Sequence, residues 1–180
     1  MIEIREATMA DAAVLHELAA ATFPLACPPE STPEDIAAFI RDTLSEERMR
    51  DYVADLARTV LLAIDGPRAV GWAMTVEGEP TDADVRRAVV PRPAVELSKL
   101  YVRPDLHGAG LARRLVDASL DDARSRGAAV VWLGVNQQNG RANAFYAKSQ
   151  FERVGTKHFV VGARLEDDYV RARVLEAPGE

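Results

Sequence analysis

Val102-Arg103-Pro104-Asp105-Leu106-His107-Gly108-Ala109-Gly110-Leu111-Ala112 is the stretch on which the fold of this 180-residue chain turns. It runs from an apolar segment into a turn with two glycines and straight on into an amphipathic helix. That helix is expected over Leu111 to Arg126, with Leu111, Leu115, Ala118 and Ser119 on one side and Gly127 as its stop. The first N–H groups of a helix have no partner within it and carry partial positive charge. Glycines and the small Ala109 and Ala112 let a ligand come close to the main chain. A phosphate group satisfies such amides, and Arg113 and Arg114 add charge beside them. The stretch is not a P-loop, because no Gly-Lys-Ser/Thr follows. It is not a dinucleotide fingerprint either: the third glycine is missing, and the unit lies mid-chain after an apparent hairpin. Taken alone, it is equally an ordinary tight turn.

Upstream, Ile2 and Ile4 alternate with Glu3 and Arg5 as in a half-buried strand. Thr8 and Asp11 have the spacing of a capping box before a helix that places Val14, Leu15 and Leu18 on one face. Thr32-Pro33-Glu34-Asp35 is a second helix start, followed by an apolar stripe of Ile36, Phe39, Ile40 and Leu44. Ser45 restarts a helix carrying Met49, Tyr52, Val53 and Leu56. Thr59–Ile64 and Ala69–Val76 flank Asp65-Gly66-Pro67-Arg68 as a hairpin. Residues 78–94 form a long loop with room for one helical turn, and Val95–Val102 is the next strand. Downstream, Ala128–Val135 is an almost unbroken apolar run, a strand buried on both faces. Arg141–Ser149 reads as a short helix, with closing strands at Phe151–Val161 and Asp168–Val174. Strands and helices in this order give an α/β (α+β) domain with a mixed sheet.

The length fits one domain, 1–180. At 48% hydrophobic and 28% charged the composition is that of a folded chain. The net charge of -6 argues against a nucleic-acid phosphate backbone as partner and agrees with a cationic small molecule. Cys27 is the only cysteine, so no disulfide forms within the chain, and it sits among Pro24, Pro28 and Pro29 with no histidine nearby in sequence. The three dispersed histidines give no metal-ligand spacing. The start, Met1-Ile2-Glu3-Ile4-Arg5-Glu6, lacks the apolar run of a secretory signal, and no stretch is apolar enough to span a membrane. A cytoplasmic location is expected.

One strand after the glycine turn comes Asn139-Gly140-Arg141-Ala142-Asn143-Ala144-Phe145-Tyr146-Ala147-Lys148-Ser149-Gln150-Phe151. The two segments together, in this order and at this separation, resemble the GNAT superfamily of N-acetyltransferases. Its Gln/Arg-x-x-Gly-x-Gly/Ala motif is met by Gly110 and Ala112, with His107 where Gln or Arg is usual. Its Asn-x-x-Ala-x-x-Phe/Leu-Tyr-x-Lys-x-Gly-Phe motif is met by Asn139, Ala142, Phe145, Tyr146, Lys148 and Phe151, with Gln150 in place of the glycine. Thr22-Phe23, Glu96–Val102, Trp132–Val135, Phe159-x-x-Gly162 and Asp168 are similar to the polyamine acetyltransferase-like branch.

The resemblance implies a GNAT fold. Its central sheet would have about six to seven strands with helices on both faces, a splayed parallel strand pair at Val95–Val102 and Ala128–Val135, and a cofactor core over 95–151. It implies acetyl-CoA as cosubstrate, held by the main chain of Leu100, Tyr101 and Val102. His107, Gly108, Ala109, Gly110, Leu111, Ala112 and Arg113 would hold the pyrophosphate, and Asn139, Ala142, Phe145, Tyr146 and Lys148 complete the set. Transfer would be direct, with a main-chain N–H near Leu100 or Tyr101 serving the oxyanion. Tyr146 stands where the family has its general acid; on its residue type alone it is also a core aromatic. Some members carry a Glu five residues before the motif asparagine. That position is Gly134 here, and Glu96, acting through water, is the substitute base, or else simply a carboxylate at a strand end; Glu77 and Asp168 are further candidates, and His158 is one by residue type, though nothing in its spacing points to the acetyl group. The acceptor implied is a small primary amine, polyamine-like first, and the family's habits allow a homodimer. An acetyltransferase acting on proteins or peptides, and an acetyl-CoA-binding regulatory module without catalysis, are the alternatives.

Overall fold

The structure is a computed structural model that describes residues 1–161 and 164–176. Its strands are β1 (Ile2–Glu6), β2 (Arg58–Asp65), β3 (Arg68–Glu77), β4 (Ala94–Val102), β5 (Val130–Asn136), β6 (Glu152–Val161) and β7 (Arg164–Val174). Its helices are α1 (Ala12–Thr22), α2 (Pro33–Thr43), α3 (Glu46–Ala54), α4 (Ala83–Ala88), α5 (Leu111–Ser125) and α6 (Gly140–Lys148). The sheet has seven strands in the order β1-β2-β3-β4-β5-β7-β6 and is mixed: β4 and β5 run parallel, while β1–β2, β5–β7 and β6–β7 are antiparallel. Two compact units share this order, Met1–Thr75 with Lys99–Ser119 and Val76–Ser98 with Leu120 onward, so β4 and α5 each contribute to both.

In the first unit β1 pairs with β2 from Ile2↔Asp65 to Glu6↔Leu61. The capping box expected at Thr8 forms, since Asp11 accepts from both Thr8 N–H and Thr8 Oγ1. The sequence pattern did not show that the same carboxylate also takes a two-point contact from Arg5, at 2.7 and 2.8 Å. Arg5 and these Thr8 bonds hold Asp11 far below the usual carboxylate range. Thr32 Oγ1 and Ser45 Oγ cap α2 and α3 as their sequences require. Leu15, Leu18, Leu44, Met49, Leu62, Trp72 and Leu115 fill the core. Val14 is exposed and the face of α1 turns instead through Leu15, Leu18 and Ala19, while Leu56 lies beyond the end of α3 and is 92% exposed. Gly71 in β3 lets α5 approach: a Cβ there would stand 3.1 Å from Leu115 Cδ1 and 3.1 Å from the Tyr101 carbonyl oxygen.

In the second unit the helical turn expected within 78–94 is α4. Asp82 Oδ1 caps it by accepting from Asp84 and Val85 N–H. Val85 and Val89 close over Ala94, Val130, Trp132, Val170 and Ala172. The continuous apolar run of β5 is buried from Val130 to Leu133, as a central strand covered on both faces must be, and it pairs with β7 along its whole length. Its parallel ladder with β4 is short, from Ala94↔Val130 to Glu96↔Trp132. Gln150, at φ 66°, makes the left-handed turn before Phe151 that the resembling motif gives to glycine.

Candidate active site

The first unit contains the glycine turn. Arg103 anchors its start, with its N–H on the Val70 carbonyl and its Nε on the Ala69 carbonyl. A two-point contact from Arg68 to Asp105 steadies the next residues. Within the turn, Leu106, His107 and Ala109 amides fold back onto Arg103, Pro104 and Leu106 carbonyls, and the first bond into α5 is Arg114 N–H to Gly110 O. The amides of Gly108, Gly110, Leu111, Ala112 and Arg113 are thereby left without a hydrogen-bond partner among the described residues. Residues 107–110 are exposed, and Gly108 and Gly110 sit at φ 84° and 81°, where a side chain would be strained. Five donors at the positive end of a 15-residue helix form a built anion cradle.

The side chains expected to help do other work. His107 Nε2 donates to the Val102 carbonyl at 2.9 Å, so that nitrogen carries a proton and is spent on the main chain. Arg113 is paired with Asp117 one turn on, and Arg114 donates to the Ile2 carbonyl. What this turn offers an anion is therefore main-chain N–H groups and not these side chains. Leu100 and Tyr101 are half-buried and Val102 is buried, with the Tyr101 ring stacked on Trp72 at 5.7 Å and edge-on to Phe23 at 6.4 Å.

The second unit holds the other motif. Asn139 Oδ1 caps α6 by accepting from Ala142 N–H, and its Nδ2 has no partner among the described residues. Asn143 is fully engaged: its Nδ2 bonds the Asn136 and Asn139 carbonyls, and its Oδ1 accepts from Arg171 Nε. The motif's second asparagine is thus a structural brace that ties α6 to β7. Phe145 and Lys148 lie half-buried and exposed respectively, and Lys148 has no ion pair among the described residues. The Tyr146 ring packs edge-on to Phe145 at 5.2 Å and to Phe151 at 5.9 Å. Tyr146 is half-buried as a whole, and its hydroxyl has no hydrogen-bond partner among the described residues. The dense surroundings of that hydroxyl push the phenol well above its ordinary value near 10.

Strand alternation places Glu96, Trp132 and Gly134 on the face covered by α4, whereas Arg171, which grips α6, points to the opposite face. Glu96 sits at the last rung of the β4–β5 ladder, half-buried, with no partner among the described residues. The space over Gly134 is taken: a Cβ there would meet Lys157 Cε at 2.7 Å and Asp168 Oδ2 at 3.3 Å. The sequence signal for this was a lone glycine within a buried apolar strand. Gly162 lies outside the described residues, as does the side chain of Phe159. No group of three or more His, Cys, Asp or Glu able to hold a metal ion occurs among the described residues, and no described helix is long and apolar enough to cross a membrane.

Comparison with known proteins adds four findings. Residues 14–151 match the model of the acetyltransferase (GNAT) family. An uncharacterised N-acetyltransferase of Mycobacterium tuberculosis is 46% identical over 167 residues, covering 93% of this chain and 99% of that protein. The L-amino acid N-acyltransferase MnaT of Escherichia coli is 30% identical over 116 residues, 52% of this chain and 67% of that protein. Among solved structures, the PaiA N-acetyltransferase of Thermoplasma acidophilum in complex with coenzyme A has the same fold. Its TM-score is 0.75 at 20% identity, over 97% of this chain and 99% of that one.

Proposed function

The chain belongs to the GNAT acetyltransferase family, and from that premise we propose that it moves the acetyl group of acetyl-CoA onto the primary amine of a small molecule, polyamine-like acceptors first. The observation that carries the reading is the set of open amides at Gly108, Gly110, Leu111, Ala112 and Arg113, which suits a diphosphate. The reading takes 1–180 as one catalytic domain acting in the cytoplasm, alone or as a homodimer.

Acetyl-CoA supplies a thioester carbonyl to be attacked and a thiol to leave. Asn139 Nδ2 serves a carbonyl of the pantetheine arm, the main chain of Leu100 and Val102 its amides, and an N–H near Leu100 or Tyr101 the oxyanion. Ala142, Phe145 and Lys148 on α6 complete the cofactor-binding set. Tyr146 hydrogen-bonds the departing sulfur. Burial pushes this phenol above its ordinary value near 10, so it is protonated at neutral pH and able to donate. Glu96, on the face away from α6, meets the acceptor's ammonium and leads its proton away through water.

Incubation with acetyl-CoA and a panel of polyamines, amino acids, aminoglycosides and N-terminal peptides, followed by thiol release, tests the reading. Turnover with small amines supports it, and highest turnover with polyamines supports the finer assignment. Peptide turnover above every small amine transfers the role to a protein acetyltransferase. Tight acetyl-CoA binding with no thiol release from any amine points to a regulatory module.

A further inference from the structure

The feature that the reading so far leaves unused is the group over Gly134. This residue is exposed although Leu133 and Val135 on either side are buried, and its φ lies outside the left-handed region. Space, not backbone conformation, demands a glycine. The Lys157 stem crosses β5 here, with Nζ 3.1 Å from where a Cβ would stand and 5.7 Å from the Trp132 ring centroid. Asp168, opposite Lys157 on one side and Asn136 on the other, brings Oδ2 to 3.3 Å from the same point. Glu96 is on the same face one pleat earlier, opposite Trp132.

Asp168 is half-buried, and no hydrogen bond or ion pair holds its carboxylate among the described residues. Burial raises its proton affinity; Lys157 opposes that, while Glu166 and Asp167 on its own strand add to it. The remaining charges near it are accounted for. Asp167 is engaged by His158 at 2.7 Å, Glu166 accepts from Asn136 Nδ2 at 3.1 Å, and Asp82 at the head of α4 feels Lys157 and His158.

We propose that Asp168 is the terminal base of the reaction, with Lys157 as its positioning residue and Gly134 as the gap in β5 that admits both side chains. The inference rests on the acetyl-transfer reading. The acceptor's ammonium, met by Glu96, loses one proton through water to Asp168, so that an N–H bond breaks and an O–H bond forms. The freed electron pair attacks the thioester carbon. The C–S bond then breaks, the second proton of the attacking nitrogen goes to sulfur beside Tyr146, and Asp168 returns its proton to solvent.

The test is kcat and kcat/KM against pH with the best amine of the panel. The wild-type profile has an acidic limb. Asp168→Asn abolishes that limb and lowers kcat about a hundredfold, while its thermal shift with acetyl-CoA is kept. Lys157→Met, which retains the apolar stem, moves the limb to higher pH. Glu96→Gln raises KM and leaves the limb in place. An unmoved limb in Asp168→Asn, or a limb in Lys157→Met that stays put or moves to lower pH, overturns the inference alone. A wild-type protein that turns over no amine overturns the transfer reading and this inference with it.

Discussion

Replacing Ala112 with proline removes one amide from the phosphate cradle and almost nothing else. Ala112 is the second residue of α5, half-buried, and its N–H has no partner among the described residues. Proline is tolerated in the first turn of a helix because the missing N–H is one that the helix does not use. The apoprotein should therefore melt within a few degrees of wild type. In the proposed complex the same N–H would donate to a charged oxygen, a bond worth about 1.5–3 kcal/mol. At about 1.4 kcal/mol per factor of ten, the Kd for acetyl-CoA should rise roughly 10- to 150-fold. Calorimetric titration of both proteins, with the apo melting curve as the check on folding, gives the answer. A variant that folds and binds acetyl-CoA within twofold of wild type refutes the main-chain cradle. So would one whose lost affinity is matched by lost stability of the apoprotein, since the helix start would then be at fault.

Tyr146→Phe should leave stability unchanged, because the hydroxyl bonds nothing among the described residues; kcat should fall by about a hundredfold or more in the thiol-release assay. Gln150→Gly should stabilise the protein. The left-handed backbone costs a non-glycine residue about 1–2 kcal/mol, the greater freedom of unfolded glycine takes back about 0.5–1, and the remainder, about 0.75 kcal/mol at the centre of these ranges, raises Tm by roughly 1.5–3 °C. Asp11→Asn should cost about 1–2 kcal/mol at neutral pH in urea denaturation, a discounted figure because Arg5 is 36% exposed and screened. The folded-state pKa of Asp11 is depressed, so this contribution is present above the ordinary carboxylate value near 4 and is lost as pH falls towards the folded one. The gap between wild type and variant should therefore narrow in acid.

The parts of the fold written in local chemistry were legible. Thr32-Pro33 and Ser45 name helix starts because a side-chain oxygen three residues ahead of a free N–H is a local device, and both caps form. The apolar run before Asn136 names a central strand because only a strand covered twice needs one. The glycine turn shows its open amides for the same reason, since Gly108 and Gly110 are required by their own φ values. Side-chain partners were not legible, because they depend on neighbours far along the chain. His107 turns back to Val102, Arg114 reaches Ile2, and Asn143 is spent on Arg171. Lys157 and Asp168 could not be placed over Gly134 without the β5–β7–β6 register, which no spacing in the sequence sets. Val14 was misread because a helix face is fixed by what packs on it, and Leu15 and Leu18 win that contact.

The central claim is that free main-chain amides at the head of α5 bind the diphosphate of acetyl-CoA, and amide-resolved NMR during a titration addresses it most directly. The ¹⁵N–¹H signals of Gly108, Gly110, Leu111, Ala112 and Arg113 should move together, saturably and further than those of the rest of α5. Saturation with acetyl-CoA that leaves those five signals in place would contradict the account.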